Sequence, residues 1–162
     1  MLARHRHHLL VPLVALVAAF TFSACQPVLP PVVSNGPALG VQASQAAVTQ
    51  VGVRYTYGGA TPAQGFDCSG LVLWAWEQAG VGLARTAADQ FATTTRIARS
   101  QLRAGDLVFY GTGGAVSHVA LYIGNGKLMQ ANKPGVAANE NSLATYWTTA
   151  LIGYGRVRLA AG

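Results

Sequence analysis

Beyond residue 8 the chain has a single histidine, His118, and beyond residue 25 a single cysteine, Cys68, set in Gly65-Phe66-Asp67-Cys68-Ser69-Gly70. A thiol is a strong nucleophile near neutral pH only as its thiolate, so it needs a proton acceptor or a positive field close by. One imidazole is available to serve, and the pair points to nucleophilic chemistry at sulfur. Zinc chemistry fits poorly, because a site wants three or four His, Cys or carboxylate ligands and this part of the chain offers one histidine. A plainer reading stays open for each residue: an inert buried thiol for Cys68, and an imidazole merely hydrogen-bonded on a sheet face for His118.

The elements around the two residues decide what they can do. Asp67 is a good N-cap and Gly80 a good stop, so a helix is expected to start at Cys68 with Leu71, Trp74 and Ala75 on one face. A sulfur in the first turn lies near unpaired backbone N–H groups and the positive end of the helix dipole, which stabilise negative charge and can serve an oxyanion. His118 lies in Ala115-Val116-Ser117-His118-Val119-Ala120-Leu121-Tyr122-Ile123, whose alternation puts His118, Ala120 and Tyr122 on one strand face and Val119, Leu121 and Ile123 on the other. If Gly124-Asn125-Gly126 is a three-residue loop with Gly126 left-handed, Ile123 pairs with Lys127, Tyr122 with Leu128 and Ala120 with Gln130, so Gln130 shares the histidine's face. A two-residue loop would oppose Leu121 to Gln130 and turn the amide away. In the first register Gln130 can accept the imidazole N–H and fix its tautomer; in the second it is a solvent-facing glutamine.

Elsewhere, small apolar residues at helical spacing predict a helix from Ala43 to Val53, and Thr86-Ala87-Ala88-Asp89 predicts another beginning at Thr86. After Gly105 the segments Asp106 to Tyr110, Val116 to Ile123, Lys127 to Asn132 and Leu151 to Arg158 read as antiparallel strands. Helices first and strands after is an α+β order.

At 162 residues and 51% hydrophobic content the chain suits one packed domain with a short appendage. Residues 1–25 have the layout of an export signal: a basic start, a 14-residue largely apolar stretch from Leu9 to Phe22, then small residues. That stretch is short for a bilayer span of about 20 residues. Phe22-Ser23-Ala24-Cys25 resembles a bacterial lipobox, which would make Cys25 a lipidation site; ordinary signal cleavage is the alternative. Residues 26–42, with Pro27, Pro30, Pro31 and Pro37, read as a tether, leaving 43–162 as the domain. Without Arg4 and Arg6, nine basic residues face five acidic ones, a modest surplus without the basic runs and interleaved aromatics of nucleic-acid binders. Two cysteines allow one disulfide at most, and that would consume the thiol.

Five blocks in order resemble the NlpC/P60 cell-wall peptidases, a bacterial branch of the papain-like cysteine hydrolases. They are Tyr55-Thr56-Tyr57-Gly58-Gly59, Phe66 to Val72, Arg85-Thr86, Gly105 to Phe109, and Ser117 to Lys127, within about residues 43–158. The resemblance implies a papain-like α+β fold with N-terminal helices packed on an antiparallel sheet. It implies Cys68 as nucleophile, His118 as general base and then acid, and Gln130 as the third residue, where many members carry histidine. Tyr55 would help bind the oxyanion beside the Cys68 N–H. Asp67, Ser69, Arg85 and Ser117 are candidate substrate contacts, although an N-cap role suffices for Asp67 and an exposed arginine before a helix for Arg85; Tyr57 reads as a packing aromatic, and Asp106 as shaping its turn. The implied substrate is the stem peptide of peptidoglycan, cut between D-glutamate and a diamino acid, with no metal or organic cofactor, no nucleic acid, and a membrane only through a lipid on Cys25. Two rivals remain: an envelope protein that binds wall peptides without cutting them, and a papain-like amidase or acyltransferase.

Overall fold

The computed structural model describes residues 36–144 and 148–159. The expected signal at 1–25, Cys25 and the tether up to residue 35 lie outside the described residues.

The first helix, α1, spans Gly36–Val48, so it takes in residues 36–42 of the stretch expected as tether and stops before the expected Val53. Pro37 caused the misreading: in a first turn its missing N–H has no intrahelical partner to lose, and its fixed φ suits a helix. At the other end the chain turns through Gly52 at φ 90°. Ala43 and Ala47 are fully buried, and Gly40 lets the helix approach the next layer: a Cβ there would strike the Ala104 carbonyl oxygen.

A two-stranded hairpin, β1 (Ala60–Thr61) and β2 (Gly65–Phe66), leads directly into α2, Cys68–Gln78. Asp67 is its N-cap and Gly80, at φ 78°, follows its end, as the sequence predicts. Of the expected face Leu71 and Ala75 are buried and Trp74 only partly so, while Val72 and Trp76 are buried as well, because α2 packs on both α1 and the sheet. Trp76 Nε1 donates to the Gly105 carbonyl at 3.2 Å. Helix α3, Ala87–Thr93, starts after Thr86, whose hydroxyl accepts the Asp89 N–H.

The strands β3 (Thr95–Ile97), β4 (Leu107–Thr112), β5 (Ala115–Gly124), β6 (Lys127–Gln130), β7 (Asn139–Ser142) and β8 (Leu151–Arg156) form one antiparallel sheet in the order β3-β8-β4-β5-β6-β7. Alternation sends Leu107, Phe109, Val119, Leu121 and Met129 into the main core with Ala43, Ala47, Leu71 and Ala75. Val108, Tyr110, Ala120, Leu128 and Tyr154 form a second cluster. Each large side chain fully buried this way contributes roughly 1.5–3 kcal/mol.

The β5–β6 turn combines features of both expected registers. Asn125 (φ 51°) and Gly126 (φ 71°) are both at positive φ, as a two-residue type I′ turn requires, and Gly124 pairs with Lys127. A bulge between Tyr122 and Gly124 then restores the pairs Tyr122–Leu128 and Leu121–Met129. The extra residue cancels the one-residue slip that the short turn would impose.

Candidate active site

Asp67 is the knot that holds the helix start. Its Oδ1 accepts the Gly70 N–H at 2.7 Å and the Ser69 hydroxyl at 3.3 Å, and its Oδ2 accepts the Gly58 N–H at 3.0 Å. The Arg85 guanidinium grips both oxygens, Nη2 on Oδ2 at 2.6 Å and Nη1 on Oδ1 at 3.0 Å. It also reaches the Ser69 hydroxyl at 3.0 Å and the Gly59 carbonyl at 3.4 Å. Loop, helix and the approach to α3 are tied together by one buried carboxylate whose five bonds come from protein donors. Arg85 keeps 39% of its side chain exposed.

The Cys68 sulfur lies in the first turn, where the backbone N–H groups of Val119, Ser69 and its own residue favour its charged form. The Val119 contact brings the thiol to β5 at the residue that follows His118. Burial pushes the thiol above its ordinary 9.0, the Asp67 charge pushes the same way, and the three N–H groups oppose them. His118 is 4% exposed, and burial holds it below its ordinary 6.5, against the opposing effect of its bond to Gln130. His118 Nε2 and Gln130 Oε1 are 2.8 Å apart, with Gln130 1% exposed. An amide oxygen only accepts, so Nε2 carries the proton and Nδ1 is the basic nitrogen of the neutral ring.

A second bulge aims this strand. Tyr110 pairs with His118 but Gly111 pairs with Val116, so Ser117 is the extra residue, and a Cβ on Gly111 would strike the Ala115 carbonyl oxygen. Bulges beside functional residues re-aim side chains in this way. Tyr55, Asp67, Cys68, Ser69, Arg85 and Ser117 line one cleft of about 450 Å³. That volume falls within the range of small-molecule sites. Burial, followed by the nearby Cys68 and Asp67, pushes the Tyr55 hydroxyl above its ordinary value, so it keeps its proton and remains a donor.

Two features were missed or misread. Tyr57 does not pack: it is 90% exposed and stands on the cleft, carried by the tight turn at Gly58 (φ 76°). Gln90, 1% exposed on α3, donates to the Ser69 carbonyl at 3.1 Å and the Ala84 carbonyl at 2.9 Å, and so braces α2 against the residue before Arg85. Nothing in the sequence marks that glutamine. Among the described residues no three His, Cys, Asp or Glu are grouped where they could hold a metal ion.

Residues 52–156 match the model of the NlpC/P60 family. The bifunctional muramidase/DL-endopeptidase CwlT of Bacillus subtilis is 41% identical over 110 residues, covering 66% of this chain and 33% of that protein. The probable endopeptidase p60 of Listeria monocytogenes is 43% identical over 107 residues, covering 66% of this chain and 22% of that protein. This chain thus spans a third or less of the length of these relatives. A solved Staphylococcus aureus protein, described as similar to lipoprotein of the NLP/P60 family, superimposes with TM-score 0.65 at 34% identity, over 75% of this chain and 42% of that one. With the α+β architecture observed and well over half of the chain matched, the chain belongs to the NlpC/P60 family.

Proposed function

We propose that the chain is a cysteine endopeptidase acting on peptidoglycan stem peptides, at the bond between D-glutamate and a diamino acid. The observation that carries this reading is the thiol of Cys68 in the first turn of α2, on a cleft and under the influence of the Val119 backbone N–H, the residue next to a histidine whose Nε2 is fixed by Gln130. The name DL-endopeptidase borne by the relative CwlT supports a bond that joins D and L centres.

In this mechanism Nδ1 of His118 takes the thiol proton, the thiolate attacks the carbonyl carbon, and the Cys68 N–H and the Tyr55 hydroxyl receive the oxyanion. The imidazolium then gives its proton to the leaving amine, and water activated by the same nitrogen hydrolyses the thioester. The partly exposed Arg85 edge meets a substrate carboxylate, and Ser69, Ser117 and Tyr57 contact the peptide. Asp67 acts by holding Arg85 and the helix start. The basic and apolar start of the chain supports export, with Cys25 as the lipid attachment point and the residues from α1 (Gly36–Val48) onward as the working domain.

Mass spectrometry of defined muropeptides, compared between the chain and Cys68→Ala, tests the reading. A new D-glutamyl carboxyl terminus that Cys68→Ala does not produce is expected. Uncut substrates across a full panel would overturn it in favour of a wall-peptide binder.

A further inference from the structure

The positive surplus of the chain beyond residue 35 is confined to one region. Arg54, Arg85, Lys127 and Lys133 are matched in number by Asp67, Glu77, Asp89 and Glu140. Arg85–Asp67 and Lys127–Glu140 are ion pairs at 2.6 and 3.1 Å. The remaining five arginines, Arg96, Arg99, Arg103, Arg156 and Arg158, are accompanied by Asp106 alone. They belong to β3, the segment after it, and the end of β8 with the two residues that follow, and β8 pairs with β3 through Thr95–Arg156 and Arg96–Gly155. Arg156 is committed to Asp106, with bonds of 2.8 and 2.9 Å.

Arg96 and Arg158 have no carboxylate partner among the described residues. The Nη2 groups of both donate to the Thr94 carbonyl, at 3.3 and 3.4 Å, and Arg158 Nε reaches Thr95 Oγ1 at 3.3 Å. The Arg96 guanidinium lies 3.5 Å over the centroid of the Phe91 ring, which fixes its plane. One neutral carbonyl at the end of α3 does not require two cations. Burial and the neighbouring Arg158 both disfavour the charged form of Arg96. Two like charges held against one oxygen are relieved by an anion placed between them.

We propose that the β3–β8 edge binds phosphodiester groups of an anionic polyol-phosphate polymer, with Arg96 and Arg158 as the central pair. A carboxylate fills one guanidinium fork, whereas the two non-bridging oxygens of a tetrahedral phosphodiester can engage two forks at once. Exposed Arg99 and Arg103 follow β3 in the chain and add positive charge beside this pair, which suits a polymer of repeating charges. The Phe91 ring is covered by Arg96 and Phe109 is buried, so neither is available to stack on a nucleobase, which disfavours nucleic acid. Of the exposed large apolar side chains, Val41, Val48, Val51 and Tyr57 lie outside β3 and β8, and Leu151 stands at the start of β8, away from its pairs with β3, which disfavours insertion into a bilayer.

The test is titration of the full chain with poly(glycerol phosphate) at low salt, beside polyglutamate, single-stranded DNA and phosphatidylglycerol vesicles. Arg96→Gln and Arg158→Gln are each expected to weaken polymer binding about tenfold, the scale of a lost charged hydrogen bond. Arg96→Lys, which keeps the charge and loses the fork, should weaken it similarly, while Arg54→Gln should leave it unchanged. Arg99→Gln and Arg103→Gln, whose side chains make no bonds among the described residues, should lower affinity without moving the melting temperature. Wild-type affinity in a folded Arg96→Gln/Arg158→Gln double variant would overturn the proposal. So would an equal loss in Arg54→Gln, or tighter binding of polyglutamate, DNA or vesicles than of the polymer.

Discussion

His118 Nε2 and Gln130 Oε1 meet at 2.8 Å across β5 and β6 because the bulge at Ile123 offsets a two-residue Asn125-Gly126 turn. The bond sets the tautomer through a neutral partner and adds no negative charge to the imidazole. Gln130→Leu should therefore lower kcat on a muropeptide by about 10- to 100-fold, the scale of a lost buried hydrogen bond, with little change in KM. Gln130→His, which can accept the same proton, should recover most of it. An unchanged kcat in Gln130→Leu would remove the orienting role.

The Asp67 charge opposes ionisation of the neighbouring thiol, second to burial among the effects that raise it. Asp67→Asn keeps an N-cap oxygen and removes the charge, so the pH midpoint of iodoacetamide labelling at Cys68 should move down. The same variant loses the Arg85 ion pair, and with Arg85 partly exposed only a small loss of stability is expected from the pair itself. A midpoint that stays in place or rises would contradict this electrostatic assignment.

Stability should fall at both ends of the pH range for different reasons. His118 is held below 6.5, so the unfolded chain takes up its proton first, and stability declines as pH drops from 6.5 toward the lower folded value. Cys68 is held above 9.0, so its contribution is intact below 9.0 and is lost as pH rises from there toward the folded value. Denaturant midpoints measured from about pH 5 to about pH 10 should show a flatter acid limb in His118→Leu and a flatter alkaline limb in Cys68→Ser. Limbs as steep as in the unsubstituted chain would place the titrations elsewhere.

The helix starting at Cys68 was legible because Asp67 and Gly80 are local signals, and four strands were legible because β-branched and aromatic runs between glycine turns are local signals too. The short strands β3 and β7 were not. Thr95–Ile97 and Asn139–Ser142 carry no apolar alternation, and they are strands because β8 and β6 offer them open edges. Spacing left two registers open, and the chain takes the shorter turn yet still joins His118 to Gln130, since counting residues does not reveal a bulge. Gln90 escaped notice because its partners, Ser69 and Ala84, are brought to it only by tertiary packing.

Gly111 faces the extra residue of the bulge beside His118, and its missing Cβ makes room for the Ala115 carbonyl. Gly111→Ala has to push the strands apart, at a cost of about 1–3 kcal/mol for overpacking. Because the displaced backbone carries Ser117 and His118, kcat should fall more than the loss of stability accounts for when assayed well below the melting temperature. Full activity with an unchanged melting temperature would show that the bulge tolerates a side chain.

Tyr57 provides the sharpest contrast between sequence and structure, because an aromatic read as packing is 90% exposed on the cleft. A ring that buries so little contributes little to folding, so Tyr57→Ala should change stability by less than about 0.5 kcal/mol. The same ring is well placed to cover the aliphatic part of a bound peptide, and removing it should raise KM severalfold while kcat holds. Tyr57→Phe should behave like the unsubstituted chain, since the contact needs the ring face and not the hydroxyl. A lowered melting temperature with an unaltered KM would return Tyr57 to the packing role.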